Sequence, residues 1–174
     1  MKKFNKEKNT IFVDMDGVIA DFDKFLFDKM GRTFPHNIGP AEDVLMWDFL
    51  QNVDRLYWHL PPTEYAFELM DMVLSTGANV EILTAIPRRT AILGAEKDKR
   101  DWMIKYFGNA IKVNIGPFSK DKWKHAKAGD ILIDDRPDNI DEWNAAGGIG
   151  ILHLYEDFNN TKKLFELEMT SGQE

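Results

Sequence analysis

Thr10-Ile11-Phe12-Val13-Asp14-Met15-Asp16-Gly17-Val18 runs from a short apolar stretch straight into two carboxylates on alternate residues and a glycine. A run of that length and composition predicts a strand buried on both faces, as in a parallel sheet. Two carboxylates at the tip of such a strand make a hard-oxygen site suited to Mg²⁺. Gly17 lets the backbone turn sharply and approach a ligand closely. One carboxylate is fit to act as a nucleophile and its neighbour as general acid and base. A plain surface turn would use the same residue types, so the decision rests on what the rest of the chain places beside them.

Four more apolar runs follow, at 79–83 (ending at Thr84), 111–115 (before Gly116-Pro117), 130–133 (ending at Asp134-Asp135) and 148–152. Helical spacing covers about 63–76, 94–107, 120–128, 139–146 and 164–169, the first with Ala66, Phe67, Leu69, Met70, Val73 and Leu74 as its apolar face. Alternating strands and helices predict βαβ units, hence a doubly wound α/β fold with a parallel β-sheet and helices on both sides. Residues 22–62 break the rhythm. They hold Phe22, Phe25, Phe27, Phe34, Trp47, Phe49, Tyr57 and Trp58 but no strand run. So long a stretch between a first strand and its return helix predicts a small helical cap inserted into a single domain spanning 1–174.

Composition bounds the function. With 44% hydrophobic residues, 12 Phe and 5 Trp in 174 residues, the chain has the material for a core. A net charge of −7 disfavours a polynucleotide partner, while leaving room for one small phosphate beside a local basic patch. Cysteine is absent, which removes disulfides, thiolate metal sites and a Cys nucleophile. The charged N-terminus carries no signal-like apolar stretch, and no run approaches the roughly 20 residues of a membrane span. The expectation is a cytoplasmic protein without membrane contact; a homodimer is compatible with it.

In open parallel sheets ligands bind beyond the carboxyl ends of the strands. There the reading gathers Asp14 and Asp16, Thr84, and Asp134 and Asp135. Carboxylates so crowded repel one another unless a cation joins them. Ser119-Lys120-Asp121-Lys122 follows the third strand and is expected to open a helix with Ser119 as N-cap, giving a helix N-terminus and a lysine to clamp phosphate. Arg88 and Arg89, just past Thr84, are within reach of the same edge, Arg89 being the more superficial.

Asp14-Met15-Asp16-Gly17-Val18-Ile19-Ala20-Asp21-Phe22, then Ile82-Leu83-Thr84, a lysine near 120 and Leu132-Ile133-Asp134-Asp135-Arg136-Pro137 resemble the four motifs of the haloacid dehalogenase superfamily. Ala20-Asp21-Phe22 and the string from Ile133 to Asp138 are similar to the 5′(3′)-deoxyribonucleotidases. The resemblance implies a Mg²⁺-dependent phosphatase acting on (deoxy)nucleoside monophosphates in nucleotide metabolism. It makes Asp14 the nucleophile, forming an aspartyl-phosphate, and Asp16 the acid and base. It gives Mg²⁺ to Asp14, the carbonyl of Asp16 and Asp135, with Asp134 in support. Thr84 and Lys122 would hold the phosphoryl group, Lys120 being the rival lysine, and Phe22 would flank the base or sugar.

Ala85 stands where several relatives have serine, and the N–H groups of Ala85 and Ile86 are expected to compensate. A calcium-loop reading of Asp14 to Gly17 fails, since Gly17 is fourth rather than sixth and Phe25, not Glu, stands twelfth. The histidines at 36, 59, 125 and 153 show no ligand spacing. Two alternatives remain open: a phosphatase of another small ester, and a catalytically silent nucleotide-binding protein on the same fold.

Overall fold

β-branched and aromatic residues on alternate positions of the first run fill both faces of one sheet, and the computed structural model shows how. It describes residues 3–34, 39–87, 92–116 and 118–171. Strands β1 (Thr10–Val13), β2 (Asn79–Ala85), β3 (Lys112–Gly116), β4 (Ile131–Asp134) and β5 (Ile149–Leu152) form one sheet in the order β3-β2-β1-β4-β5. Every pairing is parallel. The chain builds outward from β1 in one direction, then crosses back to build in the other, so β1 and β4 flank the topological switch point where such sheets bind ligands.

The two faces divide the side chains of each strand. Ile11, Val13, Ile82, Ile131, Ile133 and Ile151 join the larger core, packed by α3 (Ala66–Leu74), α4 (Ala95–Phe107) and α6 (Phe158–Ser171). Phe12, Leu83 and Leu132 turn to the other face, where α5 (Pro137–Ala145) supplies Ile140 and Trp143. The Phe12 and Trp143 rings meet edge-on with centroids 5.4 Å apart. β3 closes one edge and is only half-buried along most of its length, less than the two-sided burial expected of it.

The described part of residues 22–62 holds α1 (Phe22–Met30), α2 (Pro40–Leu50) and a 3₁₀ turn at Leu56–His59. Asp21 caps α1 by accepting from the Lys24 N–H, Gly31 ends it in the left-handed region, and Pro40 opens α2 at its first turn. The excursion starts and ends at one place, because Asp21 N–H donates to Pro61 O and Thr63 N–H to Ile19 O.

One expected element differs. The helix foreseen over 120–128 is a 3₁₀ helix at Ser119–His125, and Ser119 is not its cap: the N-cap position is Phe118, with no side-chain capping bond. Three residues per turn bring positions i and i+3 into line, which aims Ser119 and Lys122 at the same neighbourhood. The last helix is longer than foreseen, reaching Ser171.

Candidate active site

Register alone brings the motif residues together. Val13 pairs with Ile82 on one side and Ile133 on the other. Asp14, the end of β2 and Asp134 therefore emerge on one row at the carboxyl edge. Beyond Asp14 the chain folds into a tight turn closed by Ile19 and Ala20 N–H groups donating to Met15 O and by Gly17 N–H donating to Ala20 O. Gly17 has φ +78°, and a Cβ there would stand 2.3 Å from Asp135 Oδ2. Only glycine allows the turn and the fourth-motif carboxylate to share this space.

Asp14 is buried, with Oδ1 accepting the Met15 N–H at 2.7 Å and Oδ2 paired to Lys122 Nζ at 2.7 Å. Lys122 Nζ also lies 2.7 Å from Asp134 Oδ2. Asp134 is fully committed: Asn139 Nδ2 bonds both its oxygens, and Oδ1 accepts the Arg136 N–H. Ser119 Oγ in turn meets Asn139. Lys122, not Lys120, is thus the lysine in contact with these carboxylates; Lys120 is exposed and lines the cavity above them.

Carboxylate oxygens of Asp14, Asp134 and Asp135, one from each, lie within 4.8 Å of one another. Burial, with Asp134 and Asp16 adding repulsion, pushes Asp14 up to about 7 against the pull of Lys122. Burial, then Asp14 and Asp134, pushes Asp135 up to about 8. Burial draws Lys122 down, but Asp14 and Asp134 more than reverse it and hold it at about 12. One ammonium does not neutralise this much buried negative charge. The cluster fits a divalent cation, which would return Asp14 and Asp135 to the ionised form. Asp14 and Asp135 are its candidate ligands, and Asp134 is the support that orients Lys122.

Asp16 sits to the side of this cluster. Its Oδ2 is 2.5 Å from Lys99 Nζ, and its Oδ1 is buried without a hydrogen-bond partner. Lys99 Nζ also donates to Thr84 Oγ1 at 2.8 Å and lies 4.4 Å from the centroid of the Tyr57 ring. Sequence reasoning missed Lys99. Its position on the buried face of α4, beside Ala95, Trp102 and Met103, was the available signal.

Above the cluster opens a cavity of about 490 Å³ whose aromatic wall is Phe22, Phe34, Trp47, Tyr57 and Phe118. Phe22 stacks on Tyr57 with centroids 6.4 Å apart and an interplanar angle of 24°. Asp43, also lining it, accepts the Trp47 indole N–H at 3.0 Å. Ala85 and Ile86 reach the cavity, but the Ile86 N–H donates to Gly116 O at 3.4 Å, because β2 runs on to Ala85 beside β3. It is therefore not the spare donor expected. Arg88 and Arg89 lie outside the described residues. No helix among the described residues is long and apolar enough to cross a membrane.

A parallel sheet of this order, with Asp14, Asp16, Thr84, Lys122 and the Asp134-Asp135 pair at its carboxyl edge, defines a hydrolase of the haloacid dehalogenase class. A profile of the 5′ nucleotidase, deoxy (Pyrimidine), cytosolic type C protein family matches residues 8–164, and the chain belongs to that family: it is an enzyme of the phosphatase and nucleotidase type. Among solved structures, a hydrolase from Streptococcus pneumoniae TIGR4 superposes with TM-score 0.50 at 16% identity, over 95% of this chain and 100% of that one. A Had-superfamily hydrolase from Ehrlichia chaffeensis gives TM-score 0.52 at 13% identity, over 96% and 98%. No curated protein sequence matches the chain.

Proposed function

We propose that this protein is a Mg²⁺-dependent phosphomonoesterase that hydrolyses (deoxy)nucleoside monophosphates in the cytoplasm through an aspartyl-phosphate on Asp14. The observation that carries it is the Asp14–Lys122–Asp134 arrangement, a buried carboxylate facing an aromatic-walled cavity with a cation against it.

The phosphate enters beside Lys122, whose ammonium offsets the phosphoryl charge, and Thr84 donates its hydroxyl hydrogen to a phosphoryl oxygen. An Asp14 oxygen attacks phosphorus while the bond from phosphorus to the sugar oxygen breaks. Asp16 gives its proton to that leaving oxygen. The nucleoside departs, and Asp16 takes a proton from water as the water oxygen attacks phosphorus. The Asp14–phosphorus bond then breaks, releasing phosphate and leaving Asp16 protonated for the next cycle. Asp14, Asp135 and the backbone carbonyl of Asp16 would hold Mg²⁺. When bound, it supplies charge neutralisation for Asp14 and the phosphoryl oxygens. Residues 22–62 serve as the cap, with Phe22, Trp47 and Tyr57 offering their ring faces to the base and sugar.

Phosphate release from nucleoside 5′- and 3′-monophosphates, ribo and deoxy, beside p-nitrophenyl phosphate and with or without Mg²⁺, tests the reading. Mg²⁺-dependent turnover of nucleotides well above the generic ester is expected, and Asp14→Asn should abolish it without unfolding the protein. Turnover of the generic ester alone would discard the nucleotide. No turnover of anything would leave a binding protein.

A further inference from the structure

Lys99 takes no part in the mechanism above, yet it is a buried ammonium set against two residues that do. Its side chain is wholly buried (0%) on α4, yet it ends against Asp16 and Thr84 rather than in solvent. An ammonium taken out of water is costly unless paired and hydrogen-bonded. Here Asp16 Oδ2 at 2.5 Å, Thr84 Oγ1 at 2.8 Å and the Tyr57 ring face at 4.4 Å together meet that need. Lys99 does not line the cavity, whereas Asp16 and Tyr57 do. It reaches any substrate only through its neighbours.

We propose that Lys99 is a positioning residue for proton transfer, acting through Asp16 and Thr84. It pins Asp16 Oδ2 and so fixes how that carboxylate stands at the cavity edge, where the proton is exchanged. By donating to Thr84 Oγ1 it occupies a lone pair of that hydroxyl and leaves the hydroxyl hydrogen to serve a phosphoryl oxygen. Both consequences follow from one ammonium donating in two directions. A purely structural role would be met better by an apolar side chain, since hydrophobic replacement of buried charge is often neutral or stabilising. The Asp16 side chain, 34% exposed, retains contact with water if Lys99 is lost.

The inference rests on Asp16 being the acid and base, and leaving-group dependence tests the two separately. A nucleoside alkoxide needs a proton to depart; p-nitrophenolate does not. Lys99→Met should lose roughly 10²-fold or more in kcat on a deoxynucleoside monophosphate, with KM changed only a few-fold, which is the scale of losing one well-placed catalytic contact. On p-nitrophenyl phosphate it should show a burst of p-nitrophenolate slowed far less than the nucleotide reaction, through Thr84 alone, followed by slow turnover, because only the second step then calls on Asp16. Asp16→Asn should show the same split. Lys99→Met slowing the burst and the nucleotide equally, or neither, while Asp16→Asn keeps the split, would overturn the role of Lys99 alone. Absence of the split in both variants would overturn the Asp16 assignment and the inference with it. Lys99→Gln gives the same readout should Lys99→Met fail to fold.

Discussion

A single ammonium, Lys122, is shared by Asp14 and Asp134 at 2.7 Å from each, and this sharing separates the two candidate lysines by function. Lys122→Ala removes the charge beside Asp14 and leaves two buried carboxylates facing each other. Lys120→Ala removes an exposed charge from the cavity rim. Measured kcat should fall roughly 10²–10³-fold for Lys122→Ala and only a few-fold for Lys120→Ala; comparable losses would refute the assignment. Gly17 sets a second test. In Gly17→Ala the new Cβ cannot stand 2.3 Å from Asp135 Oδ2, and the left-handed φ adds about 1–2 kcal/mol of strain. Asp135 must move, so the Mg²⁺ concentration for half-maximal activity should rise well beyond any change in nucleotide KM. An unchanged Mg²⁺ requirement would show that Asp135 is not a ligand.

Among elements, the join between the 3₁₀ turn at Leu56–His59 and α4 carries more than its size suggests. Arg55, in the left-handed region at φ 51°, bonds Asp98 Oδ1 at 3.0 Å and also pairs with Asp101. Trp102, fully buried, donates its indole N–H to Leu60 O at 2.8 Å. Trp102→Phe keeps an aromatic ring but strands that carbonyl, a cost of about 1–3 kcal/mol. Urea denaturation should show a lower midpoint with an unchanged m-value; an unaltered midpoint would mean that the bond contributes nothing. This join also marks where the sequence stopped being legible. Short continuous apolar runs and the turn residues around 14–17 and 134–137 disclosed the strands, their order of appearance and the acidic edge, because those signals are local. Lys99 escaped because its partner Asp16 lies 83 residues away, and nothing near position 99 reports a carboxylate across the core. The segment 119–125 looked α-helical because its lysines recur at spacings that suit either helix type. Contacts to Asn139 and to the carboxylates, again distant in sequence, favour the 3₁₀ form.

At the scale of the whole molecule, the sheet that assembles the site also holds distant buried groups whose ionisation is linked to folding. His153 is such a group. It follows β5, is 1% exposed, meets Thr161 Oγ1 through Nδ1 at 3.0 Å and faces the edge of Phe158 from α6. Burial holds its pKa below the usual value of 6.5. Between the depressed folded value and 6.5 the unfolded chain binds more protons than the folded one, so stability rises with pH in that window. The contribution is fully present above 6.5, is lost as pH falls towards the folded value, and levels off beneath it. His153→Asn keeps a polar group near Thr161 and removes the titration. Chemical denaturation of both proteins from pH 8 to pH 5 should give curves that are parallel above pH 7 and converge, or cross, below about 6.5 as the native protein loses stability faster. Curves parallel throughout would show that His153 is as readily protonated folded as unfolded, and that burial beside Phe158 exacts no penalty on its charge.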